Sequence, residues 1–197
     1  LDIRIDELLQ MIPAVDTLVP MLAAFNGNAN FHLAAETYLD AFYHPKMSTL
    51  LGSAAISGND LVVLDNNSIA QIAKLMQFKS WKDKDDKIRI DSLSVEMTCF
   101  RKEVEVYPFL LNIGKYQLCA SGKHNLDNVC NYHIELLKNP LMAKVGVDVK
   151  GSLSNPKISL GEVRYADLYR PEKQGVVEKR TLELKKMIRQ ALESNVR

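Results

Sequence analysis

A chain of 197 residues, 47% hydrophobic and 25% charged, has the length of one domain and an ordinary globular composition, with core enough to stand without disulfides or metal. Its 25 Lys and Arg against 24 Asp and Glu leave no global field to gather nucleic acid, so a dedicated DNA or RNA binder is not expected. Cys99, Cys119 and Cys130 are too few and too irregularly spaced for a disulfide framework or zinc cluster. No apolar run nears the ~20 residues that cross a bilayer, and no signal sequence leads the chain, which starts at Leu1 and reads as part of something longer.

From Asp6 to Phe25, Leu8, Ile12, Val15, Val19 and Leu22 line one face at helical spacing, predicting an N-terminal helix that Pro13 and Pro20 bend or divide into two short turns. Asn26-Gly27-Asn28 closes it. The period then changes to two. Phe31 to Leu39 and Thr49 to Leu64, the latter broken at Gly58-Asn59, read as antiparallel strands. Ile69, Ile72, Ala73 and Met76 restore a helical stripe, predicting a short helix over 66–78. The run 79–87 is charge-dense and reads as a solvated loop.

Strong alternation follows: Leu93 to Cys99; Val104 and Val106 after a turn at Arg101-Lys102; Tyr116 to Ala120; Cys130 to Leu136; Val145 to Val149; then Ile158 and Leu160 beyond Asn155-Pro156. Each run is apolar on one side only, which predicts an antiparallel sheet with one wet and one dry face. From Glu172 to Val196 an amphipathic, locally basic helix is expected, so 171–197 forms a separate C-terminal element. The fold class is therefore α+β: a curved, mainly antiparallel sheet of about eight strands with N-terminal, central and C-terminal helices on its apolar face. About eight strands spaced ~4.8 Å span roughly 38 Å, and three helices cover about 30 Å at most. Some apolar face should remain for another segment or an apolar ligand.

Catalytic and metal motifs are sparse. His124, His133, Cys119 and Cys130 lack metal-ligand spacing, and strand parity points His133 away from Cys130 and Tyr132. A Cys held in apolar strand company stays inert as a nucleophile. Asp83, Asp85 and Asp86 lack the glycine and final Glu of a calcium loop, and Trp81 reads as packing beneath its own loop. No phosphate loop, nucleophile elbow or zincin motif occurs, so no enzyme and no cofactor are expected. On the C-terminal helix, Lys185, Lys186 and Arg189 are candidates for resting on anionic lipid.

The segments Gly122-Lys-His-Asn-Leu-Asp127, Tyr132-His-Ile-Glu-Leu136 and Val147-Asp-Val-Lys-Gly151-Ser-Leu-Ser-Asn-Pro156-Lys-Ile158, with Ile56 to Leu64 upstream, resemble in order the C-terminal region of AsmA-like envelope proteins. The resemblance covers 1–170. It implies a periplasmic portion of a Gram-negative protein anchored in the inner membrane by a helix absent from this chain. It also implies outer-membrane assembly or phospholipid transport between envelope membranes, with acyl chains shielded in a groove. Leu118, Ile134, Leu136, Val145 and Val147, which share the dry face, are the groove candidates. Phospholipid acyl chains and other envelope segments are the expected partners. The alternative is a structural or protein-interaction module that uses its sheet edges and carries no lipid.

Overall fold

The structure, a computed structural model, describes residues 2–11, 15, 18–64, 67–76, 87–138 and 144–165. Ten strands form one antiparallel sheet: β1 (Asp2–Arg4), β2 (Phe25–Asn26), β3 (Asn28–Glu36), β4 (Leu51–Val63), β5 (Ile88–Phe100), β6 (Glu103–Ile113), β7 (Tyr116–Asn125), β8 (Val129–Lys138), β9 (Val145–Ser152) and β10 (Asn155–Gly161). From β3 onward neighbours in the chain are neighbours in the sheet, with β1 outside β3 and β2 on β4. Two α-helices, α1 (Ile5–Met11) and α2 (Asn67–Leu75), and two short 3-10 turns accompany the sheet, and Val15 and Leu18 are also helical.

The α+β expectation of three helices gives way to a sheet-dominated fold. Of the N-terminal helix, Ile5–Met11, Val15 and Leu18 are helical among the described residues, and Pro20 opens a 3-10 turn over Pro20–Ala24. A proline tolerates the first helical turn but denies a donor to the next. Phe25, the expected last residue of that helix, instead starts β2 opposite Val63. The central helix occupies Asn67–Leu75. Asp83, Asp85, Asp86, Trp81 and the whole of 171–197, with Lys185, Lys186 and Arg189, lie outside the described residues.

Registers place one apolar row across the sheet: Leu118 opposite Leu136, and Leu136 opposite Val145. The next row runs Ala120, Ile134, Val147 and Leu160. Strand β6 keeps to this face despite an irregularity between Val106 and Phe109. Val104 and Val106 precede the bulge and Phe109, Leu111 and Ile113 follow it, all on the dry side. Pro108 lies within the bulge, where a residue lacking N–H costs no ladder bond.

Above this face the N-terminal segment buries Ile5, Leu8, Val15, Leu18, Val19 and Leu22, while α2 packs toward β10. Six ladder spacings, roughly 29 Å, separate β4 from β10 along the sheet. That is about the full reach of the link after Val63 plus the nine-residue helix. The helix arrives because the sheet curls toward it.

At Gly122 two strands leave no room for a side chain: a Cβ there would meet the Asn131 carbonyl oxygen and lie 2.6 Å from Tyr132 Cα. Backbone atoms cannot yield as a side-chain tip can. Gly122→Ala is expected to destabilise the chain by about 2 kcal/mol, read as a lower urea midpoint. A stability equal to that of the unsubstituted chain would contradict this packing.

Candidate functional site

The groove candidates share one face but not one environment. Leu118, Leu136 and Val147 are buried in the core, and Ile134 is half-buried against it. Val145 alone of the five lines an open cleft, of about 700 Å³, between α2 and the β9–β10 end of the sheet. Leu75, Ile158, Leu160 and Val163 supply its other apolar surface, and Lys74 and Lys144 contribute ammonium groups. By contrast, the space between Val15, Leu18 and Val19 and strands β3 to β6 has shrunk to about 20 Å³, room for about one water and no acyl chain.

His124 explains part of the closed roof. Its Nε2–H donates to the Leu18 carbonyl at 2.9 Å, which leaves Nδ1 to accept from the Tyr132 hydroxyl at 2.7 Å. Burial lowers the imidazole pKa and raises that of the Tyr132 phenol, so both groups stay neutral. The pair ties β7 and β8 to the N-terminal segment. Burial likewise raises the Cys99 and Cys130 thiols. All three cysteines are buried and outside any disulfide, and no cluster of three or more metal-ligating groups occurs among the described residues.

The opposite face, expected to be wet, is dry over β7 to β9. Residues 162–165 fold back across it, and Gly146 admits them, since a Cβ there would collide with the Glu162 carbonyl. Beneath this strap His133, Glu135 and Asp148 are 5%, 0% and 8% exposed. His133 Nδ1–H donates to Asp148 Oδ1 at 2.7 Å, and Lys150 Nζ donates to Oδ2 at 3.0 Å. Glu135 Oε2 accepts the backbone N–H of Arg164 and, at 2.7 Å, that of Tyr165. The Tyr165 and Ser121 hydroxyls are hydrogen-bonded.

Ser121, His133 and Asp148 stand in line across three strands, the residue types of a hydrolase triad. Triad chemistry needs the serine hydroxyl bonded to the second imidazole nitrogen. Here Ser121 is bonded to Tyr165, and His133 Nε2 faces Glu135 Oε2 at 3.7 Å with no hydrogen-bond partner. The arrangement is a clasp that fixes the strap. Alternation in the sequence gave no sign of it, because what dries this face arrives from 162–165.

No protein-family model matches the chain, and neither the curated proteins nor the solved structures yield a similar one. Any functional reading therefore rests on the residues and their geometry.

The clasp makes a pH prediction. The His133 N–H, and then Lys150, hold the Asp148 carboxyl below the usual carboxylate range. Its contribution is complete above the unfolded-state pKa of about 3.9 and is lost as pH falls through the lower native value. Asp148→Asn is expected to cost about 2 kcal/mol near neutral pH and to flatten the fall of stability in acid. Urea melts at stepped pH provide the check; an acid limb with its slope unaltered would remove Asp148 from the account.

Proposed function

We propose that the chain is a non-enzymatic, lipid-engaging periplasmic domain of an AsmA-like protein in outer-membrane assembly or phospholipid transport, and that the cleft beside α2 holds the acyl portion. The observation that carries this reading is the cleft's composition: an apolar wall of Leu75, Val145, Ile158, Leu160 and Val163 joined by Lys74 and Lys144. An acyl chain gains ~0.8 kcal/mol for each methylene it buries there, and an ammonium suits a phosphate or carboxylate head. The order of strand motifs along 1–170 supports the family assignment.

A second reading has its own support. Strand β10 pairs only with β9 among the described residues, and Leu160 on it is exposed. An unpaired strand edge with an exposed leucine suits strand addition by a neighbouring envelope segment, with no lipid held.

Native mass spectrometry and lipid extraction of the purified chain separate the two. Phospholipid is expected to accompany the unsubstituted chain, and Val145→Trp, which fills the cleft from a half-buried position, should abolish it while leaving the melting temperature within about 3 °C. Absence of lipid from the unsubstituted chain, or equal lipid on both, defeats the carrier reading.

A further inference from the structure

Four connections, residues 37–50, the β5–β6 turn, the β7–β8 turn and the β9–β10 turn, lie at one end of the sheet, as the registers Glu36 to Leu51, Leu51 to Phe100, Glu103 to Asn125 and Val129 to Ser152 require. This end carries an unusual set of side chains. Tyr38, Phe42 and Tyr43 are 73%, 78% and 82% exposed, although a floppy loop is not the cause.

Asp40 Oδ1 accepts the backbone N–H of Phe42 at 2.8 Å and of His44 at 2.9 Å. The Tyr43 N–H donates to the Asp40 carbonyl at 3.1 Å, and the Lys46 N–H to that of Tyr38 at 2.8 Å. Leu39 and Pro45 form a bridge across the loop. The backbone is thus tied down while its rings stand in water, at a hydrophobic cost that the fold itself does not recover.

Backbone strain marks the same end. Five non-glycine residues have positive φ among those described. Asp60 and Asn128 are of the types that accept it. The other three are Tyr43 at 65°, Arg101 at 47° and Lys102 at 72°, all at this end. A two-residue hairpin turn of that shape favours Asn-Gly; here it presents two exposed cations, Arg101 lying over the Phe100 ring. The Arg101 N–H donates to the Leu50 carbonyl at 3.2 Å, so the turn adjoins the aromatic loop. Of the nearby acids, Asp40 is spent on the loop backbone and Glu103 on Lys123 at 3.0 Å. Glu36 and Asp127 remain exposed at the flanks.

We propose that this end of the sheet docks on a bilayer surface, seating Phe42 and Tyr43 at headgroup level with Arg101 and Lys102 on anionic lipid phosphates. The combination favours a bilayer over a protein partner. Protein interface cores select aromatics but shed lysine, whereas membrane interfaces pair Tyr and Phe with flanking Lys and Arg. Convex projection of single rings from a braced loop also suits a fluid surface that needs no complementary pocket. The inference stands apart from the cleft, which opens elsewhere on the molecule.

Vesicle flotation of the full chain tests it, with phosphatidylethanolamine vesicles containing phosphatidylglycerol. Phe42→Ser with Tyr43→Asn removes both rings at exposed positions, and Asn accepts positive φ, so folding is preserved; binding should fall at least about tenfold. Arg101→Asn with Lys102→Gly relaxes the turn while deleting both charges, and should weaken binding several-fold and reduce its salt dependence. Three results overturn the proposal: no binding by the unsubstituted chain, equal binding by the loop variant, or a loop variant that alters oligomeric state in size-exclusion chromatography instead of vesicle affinity. Lipid that still copurifies with a chain unable to bind vesicles defeats the docking surface and leaves the cleft standing.

Discussion

A pleated layer that is apolar along one whole side must hide that side, and here the hiding decides the shape. Among the described residues the cover is small: α1, α2, a 3-10 turn and the residues between Met11 and Pro20, set against ten strands. A flat layer of that width would leave its far strands wet. Curling shortens the distance to be covered, and bulges in β6 and β8 allow it. The N-terminal segment then closes the β3 to β7 region with a hydrogen bond from His124 to Leu18, and α2 reaches the β9–β10 end without sealing it. Among the described residues, the cleft is what remains of the mismatch between layer and cover.

The other face is held by different physics. Over β7 to β9 the strap buries His133, Glu135 and Asp148, and desolvating such groups offsets much of their mutual attraction. Apolar side chains of equal volume would bury as much surface. What the polar set adds is direction: a carboxylate that accepts two consecutive backbone N–H groups fixes where Arg164 and Tyr165 run, and a buried imidazole holding Asp148 fixes β8 against β9. That is a positioning role, and the clasp lacks the serine-to-imidazole bond that would turn it into an acyl-transfer site.

Strand order and facing were legible because alternation survives wherever one face alone is dry. Val145, Val147 and Val149 needed nothing more. Helix extent was less legible, since apolar spacing does not mark where a helix stops: Val15 and Leu18 are helical, whereas Pro20 opens a 3-10 turn and Phe25 begins β2. The parity change in β6 had a visible signal, Pro108 within an apolar run, because a proline inside a central strand demands a bulge. The clasp had none. His133, Glu135 and Asp148 occupy positions that read as solvent-facing, and only a backbone returning from beyond β10 converts them to buried ones. The braced aromatic loop was hidden too, for Tyr38 to Lys46 looks like any polar turn until its rings are found outside and its backbone inside.

Geometry also constrains how the two lipid readings fit together. Val145, Leu160 and Val163 lie at the β8–β9 end of the strands, whereas Phe42, Tyr43, Arg101 and Lys102 lie at the opposite end. Strand β9 alone, with eight residues, separates the two ends by about 26 Å, longer than an extended acyl tail anchored at a headgroup plane can bridge from within its own leaflet. A chain docked by its aromatic loop therefore holds its cleft away from that bilayer. Lipid in the cleft would come from, or pass to, a neighbouring protein segment, and the exposed edge of β10, which borders the cleft through Leu160, is where such a segment would join the sheet. Docking and holding are then compatible in one orientation, with the rings in the headgroups and the cleft remote from them.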